Sequence, residues 1–238
     1  MDAISDKNIA TDTHWSLGLI DHPLLLTFAC EKYVLTQDPV PFQTTGPYEF
    51  VKRYDRVYLF RNRLFLPLGL TFSRYLPEDV FLRLPSSVKP AALLLAVVLS
   101  DKNIADNPGL SELTFDELKQ QLNQSSPVDA IALRRATALN MRSFRETQID
   151  GTVRADGKSI LVLQTPFDPG WRAFVDNRAA PVLRVDAGLL GIVLDSGEHE
   201  VELRYRPPFL VMGAAVSLGS LLILVLSLWR WPRVQLPE

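Results

Sequence analysis

Few residues in this chain could do chemistry. No D-x-D pair of the kind that holds a metal-bound nucleotide sugar occurs, nor a G-x-S-x-G nucleophile turn, an H-E-x-x-H zinc motif or a phosphate-binding glycine loop. Cys30 is the single cysteine, which excludes an intrachain disulfide and a thiolate metal site. His14, His22 and His199 lie far apart in sequence. His199 falls on the inward side of an alternating strand, where it reads either as a satisfied buried imidazole or as a ligand. The expectation is no catalytic residue, no metal site and no cofactor site within the chain itself.

Two residues stand out as possible ligand contacts. Trp171 could stack on the apolar face of a sugar ring, or it could plug a core, because alternation groups it with Ala173 and Val175. Asp168, between Phe167 and Pro169, could be a carboxylate at a binding rim or a turn-forming Asp. The row Glu198, Glu200, Glu202 reads as a solvated strand face, mixed with Arg204 and Arg206 against edge pairing. Those two arginines could also touch a lipid phosphate, yet no base lies beside them. Strand solubility and interfacial anchoring are their plainer roles.

The elements that must position these residues begin with Phe209 to Trp229, which contains no charged residue and no proline. A bilayer core about 30 Å thick takes ~20 apolar helical residues to cross. Trp229 and Trp231 stand beside Arg230 and Arg233 at the far end, as interfacial anchors do. We read a transmembrane helix; the alternative is the central helix of a soluble core. Gly213, Ser217, Ser220 and Ser227 fall within about a quarter of its circumference at ~100° per residue. Such a stripe admits a second helix closely, although small residues are common in spans anyway.

Lys and Arg total 25 and Asp and Glu 27, and no basic block points to nucleic acid. Met1 to Trp15 lacks the basic and apolar regions of a signal peptide. A lone span without an export signal leaves the large domain in the cytoplasm, unless earlier helices of a longer membrane protein set the topology. Arg204 and Arg206 on one side balance Arg230 and Arg233 on the other.

Leu17 to Cys30 is apolar but broken by Asp21, His22 and Pro23, and leads into a strand from Lys32 to Thr36. Tyr48 to Arg53 and Arg56 to Arg61 form a hairpin turning at Tyr54-Asp55. Leu68 to Tyr75 is one further strand. Pro77-Glu78-Asp79 opens a short helix, with acids at its positive end. Lys89 to Leu99 is a buried helix or strand, and Asp101 to Gly109 is polar and turn-like. Thr114 to Glu117 fits a capping box opening a helix from Phe115 to Asn123. Another helix covers Pro127 to Ala138. The hexapeptide SDKNIA occurs at Ser5 to Ala10 and again at Ser100 to Ala105, without a solenoid period around it.

From Arg142 strands dominate. Lys158 to Gln164 is apolar on both faces, as a central strand is. Strands at Trp171 to Val175, Pro181 to Val185, Leu189 to Leu194 and Glu198 to Arg206 follow, separated by Asp176-Asn177 and by Asp195-Ser196-Gly197. The fold class is mainly β with some helix (α+β): an antiparallel β-sandwich followed by one transmembrane helix. The divisions are a mixed α/β part (1–140), a sandwich part (141–206), the helix (207–230) and a short tail (231–238).

The run from Pro166 to Pro208, PFDPGWRAFVDNRAAPVLRVDAGLLGIVLDSGEHEVELRYRPP, resembles the C-terminal end of YfhO-type bacterial membrane proteins. Gly170-Trp171, the Val175-Asp176 turn, Gly188 to Gly191, Gly197-Glu198-His199 and Tyr205 to Pro208 carry the likeness. KYVLTQ at Lys32, VYLFRN at Val57 and LPLGLTF at Leu66 look like the family's preceding strands. Family members are similar to GT-C class glycosyltransferases, which move sugar from a polyprenyl-phosphate carrier onto a surface polymer or lipid. The resemblance implies an extracytoplasmic domain and final helix on the bacterial cytoplasmic membrane. The family's catalytic acid is expected among earlier helices, so no catalytic residue transfers to this chain, which reads as a fragment or split subunit. The expected partners are the lipid bilayer, other transmembrane helices, and a glycan or polyprenyl-phosphate sugar. The alternative is an independent membrane-anchored β-sandwich that binds glycan or a partner protein.

Overall fold

A computed structural model describes residues 22–44 and 46–230. His14, the first SDKNIA copy, Trp231, Arg233 and the tail lie outside them. The chain opens with α1 (Pro23–Phe28), β1 (Tyr33–Thr36), α2 (Val40–Thr44), β2 (Tyr48–Tyr54) and β3 (Val57–Asn62). The strands make a small antiparallel sheet in the order β1-β3-β2. Its turn falls at Asp55-Arg56, one residue later than the sequence suggested, because Tyr54 still pairs with Val57 and Asp55 takes the left-handed φ of 51°. Buried Asn62 joins this sheet to α1 by donating to the Thr27 hydroxyl at 3.0 Å and the Glu31 carbonyl at 3.2 Å.

The expected single strand from Leu68 to Tyr75 is two, β4 (Leu70–Phe72) and β5 (Arg74–Pro77). Exposed Ser73 is the pivot, and each half pairs with a different sheet. After α3 (Glu78–Arg83), the apolar run beginning at Lys89 is both helix and strand: α4 (Lys89–Leu95), then β6 (Val97–Leu99). Pro90 suits a helix start, and the β-branched pair Val97-Val98 suits a strand. The segment read as turn-like contains α5 (Asp101–Asp106), capped by Ser100; it buries no residue, so no apolar period announced it.

β7 (Ser111–Glu112) then completes a parallel sheet ordered β6-β5-β7, a feature the antiparallel expectation lacked. α6 (Phe115–Gln124) opens on the Thr114–Glu117 capping box, and α7 (Pro127–Ala136) on a second box between Ser126 and Asp129. α7 stops two residues before the expected end, since Ala138 is already bridged to Leu70.

The remaining strands are β8 (Asn140–Arg145), β9 (Gln148–Ala155), β10 (Ser159–Pro166), β11 (Trp171–Val175), β12 (Arg178–Ala180), β13 (Val182–Val185), β14 (Leu189–Leu194) and β15 (Gly197–Tyr205). They form two facing antiparallel sheets, β12-β11-β15-β9-β8 and β13-β14-β10-β4. Leu161, Leu163, Leu190 and Ile192 of one sheet meet Ile149, Val153, Val201 and Leu203 of the other. The opposite face of β10 turns Ile160 and Val162 into a second core, with Phe72, Leu93 and Leu99. This explains the two-sided apolar run: β10 is shared by two cores. The sandwich also takes its fourth strand, β4, from the upstream part of the chain.

Finally, α8 (Leu210–Arg230) leaves the sandwich. Its window Leu210–Ser227 has a mean hydropathy of 2.3, and none of it is buried against the other described residues. The central helix of a soluble core is covered by its neighbours, and the described residues give α8 no such cover. The hydroxyls of Ser220 and Ser227 bond back to the carbonyls of Val216 and Leu224, which satisfies these two polar groups inside the helix itself.

Candidate functional site

β15 sits between β9 and β11, inside its sheet. The charges along it therefore do not guard an edge, which corrects that reading. They pair across strands instead. Glu200 meets Arg142, which also lies 3.5 Å from Asp150, and Gln148 donates to Glu202 at 3.0 Å. Arg204 makes a two-pronged contact to Glu202 at 2.7 and 2.8 Å, and its guanidinium lies 5.1 Å from the Phe174 ring centre.

His199 is mostly buried and satisfied on both ring nitrogens, by Asp176 Oδ2 at 2.8 Å and the Asp195 carbonyl at 3.1 Å. The Asp176 hydrogen bond pushes its pKa up, and the same bond holds the Asp176 carboxyl down. This clip fastens the β11–β12 turn, whose Asp176 and Asn177 both have left-handed φ.

Trp171 and Asp168 come together where the sandwich meets α8. Asp168 is a turn former: its Oδ1 accepts from Gly170 N at 2.7 Å and its carbonyl from Trp171 N at 3.1 Å. Gly170 lies so close to the β15–α8 link that an added Cβ would be 2.5 Å from the Arg206 carbonyl and 2.7 Å from the Tyr205 ring. The Gly170 carbonyl in turn accepts from Arg206 N at 3.0 Å. Trp171 is half-buried, tilted against Tyr205 with ring centres 5.1 Å apart. The Tyr205 hydroxyl is pushed up in pKa, first by desolvation and then by Asp168.

After Ala180 the chain crosses at Pro181 to the other sheet, so Trp171 and Arg172 have no partner on β12. The opening is a groove of about 440 Å3 whose lining includes Phe167, Asp168, Trp171, Phe174 and Val182. A second cleft of about 500 Å3 lies at the foot of α8, between Arg172, Arg206 and the residues from Pro207 to Met212. Pro169 and Arg172 line both, so the two clefts adjoin as a concave strip. Arg172 was not legible as a site residue. Alternation placed it outward, but its position opposite Arg204 depends on β11 pairing with β15, which sequence spacing does not specify. No group of three or more His, Cys, Asp or Glu side chains able to hold a metal ion occurs among the described residues.

The profile of the family described as "Bacterial membrane protein YfhO" matches residues 80–217, more than half of the chain. The chain belongs to the YfhO family. It is 29% identical over 153 residues to "Uncharacterized protein YfhO" of Bacillus subtilis (strain 168), an alignment that covers 64% of this chain and 16% of that protein. No solved structure matches the chain. Membership of a family of bacterial membrane proteins and the uncovered apolar α8 together make this a membrane-associated chain.

Proposed function

We propose that this YfhO-family chain is an extracytoplasmic, membrane-anchored domain of a GT-C-like glycosyltransferase system. Such a system transfers sugar from a polyprenyl-phosphate carrier to a cell-surface polymer. In this reading the catalytic pocket is formed by helices outside this chain, and the domain holds or covers the glycan. The observation that carries it is the strip of two adjoining clefts from Trp171 and Asp168 to the foot of α8. An aromatic face beside a carboxylate suits a sugar ring, and the strip lies where a lipid-linked sugar emerges from the bilayer. One helix cannot build a pocket around a lipid-linked donor, and the window Leu210–Ser227 of α8 holds no ionisable side chain.

Two experiments test this. A single cysteine at exposed Arg178, in a Cys30→Ala background, should react with a membrane-impermeant maleimide in intact cells; labelling only after lysis refutes the extracytoplasmic placement. The purified chain alone in liposomes should transfer no sugar from polyprenyl-phosphate donors, and transfer above the empty-liposome control refutes the division of labour. The half-exposed Trp171 also favours a second reading, an independent anchored glycan-binding sandwich. Glycan retention by the chain alone, with no activity added by co-expressed family helices, would select it.

A further inference from the structure

We propose that the cleft at the foot of α8 binds the phosphate of an anionic phospholipid between Arg172 and Arg206, with an acyl chain lying along the first turns of the helix. The inference depends on α8 crossing a bilayer and not on the sugar-transfer reading. Its first support is charge. Among the described residues neither guanidinium has an ion-pair partner, whereas Arg204, directly opposite Arg172 across the strands, is closed off by Glu202. Asp168, the acid in the adjoining loop, accepts from Gly170 N at 2.7 Å and forms no ion pair with either arginine. The cleft therefore presents two guanidinium groups without an ion-pair partner among the described residues.

Its second support is placement. Arg206 N donates to the Gly170 carbonyl at 3.0 Å, and Arg172 follows Gly170 by two residues, so the two side chains spring from backbones fastened together. Guanidinium groups bridge phosphate oxygens by charge-assisted hydrogen bonds that an exposed salt bridge does not match. The third support is the opposite wall, Phe209, Leu210, Met212 and Ala215, which continues into the uncovered apolar surface of α8. Free phosphate would leave that wall bare. A zwitterionic lipid would bring a cation of its own to a site that is already positive. An anionic phospholipid meets both walls at once.

The test uses the full chain purified in neutral detergent and native mass spectrometry with equimolar phosphatidylglycerol and phosphatidylcholine. The expected result is retention of phosphatidylglycerol, with Arg172→Gln and Arg206→Gln each lowering the preference roughly fivefold. The double variant should bind the two lipids alike. Arg204→Gln should leave the preference intact, and the paired Arg172→Lys and Arg206→Lys variant, which keeps the charge, should largely retain it. Equal binding of both lipids by the parent, or an undiminished preference in the double Gln variant, overturns the proposal. So does a loss in Arg204→Gln as large as in Arg172→Gln. Displacement of phosphatidylglycerol by millimolar inorganic phosphate overturns it in favour of a soluble anion. Displacement by equimolar undecaprenyl phosphate overturns it in favour of an isoprenoid carrier.

Discussion

At the scale of single residues, the consequential side chains are those whose environment differs between two plausible roles. Trp171 is one. It packs on the sandwich core with one flank open to the groove, so Trp171→Ala should cost about 2 kcal/mol, below the ~3–5 kcal/mol of a fully buried aromatic. Thermal melting in detergent reads that cost, and a glycan-retention assay on Trp171→Phe, which keeps a ring, separates stacking from packing. Asp186 is another. It sits in the β13–β14 turn with left-handed φ, and its Oδ1 accepts from Val98 N at 2.6 Å while Oδ2 is buried without a partner. Burial pushes its carboxyl up to about 7. A raised carboxyl contributes stability that is complete below its unfolded value and is lost as pH rises through the folded one. The melting temperature of the parent should therefore fall between pH 4 and 8 relative to Asp186→Asn, in which this position does not titrate. Parallel curves for the two proteins would show that Asp186 does not titrate in that window.

At the scale of elements, Arg134 shows how one side chain can join three of them. From α7 it donates to the carbonyls of Leu94 and Leu95 at the end of α4, at 2.9 and 3.0 Å, and to the Thr71 carbonyl of β4. Its guanidinium lies 4.1 Å from the Phe72 ring centre, and burial pulls its pKa down to about 10. Helix ends leave carbonyls that need donors, and each one orphaned in a core costs about 1–3 kcal/mol. Arg134→Leu should thus destabilise by at least ~3 kcal/mol, visible as a lower melting midpoint. None of this was legible in sequence, because the partners are 39 to 63 residues away. The capping boxes at Thr114 and Ser126 each join residues only three positions apart, and the first is legible in the sequence. The same contrast explains the strands. The alternation of β15 and the turn at Asp176-Asn177 are local, and both were found. The split at Ser73, the parallel sheet and the inner position of β15 depend on distant pairing, so they were missed. At the site, Trp171 and Asp168 were visible as residue types, and their meeting with Arg172 was not.

At the scale of the whole molecule, β10 ties the two cores into one body. Residues 141–206 taken alone would lack β4 and would expose Ile160 and Val162 of β10 and Val185 of β13. That excised piece should show no cooperative melt, whereas 22–206 should; a cooperative transition in the short piece would show that the upstream layer is only an addition. The full chain should stay with membranes after a carbonate wash, because none of the other described residues covers α8. The link between them is short: Arg206 to Phe209, with Pro207 and Pro208 in it, Arg206 N bound to the Gly170 loop and Leu210 N reaching the Pro207 carbonyl. Proline fixes φ, so little torsional freedom remains in that link. Strand and helix then behave as a stiff crank. A rotation of α8 about its own axis would then be carried into the groove beside Trp171 instead of being lost in a hinge.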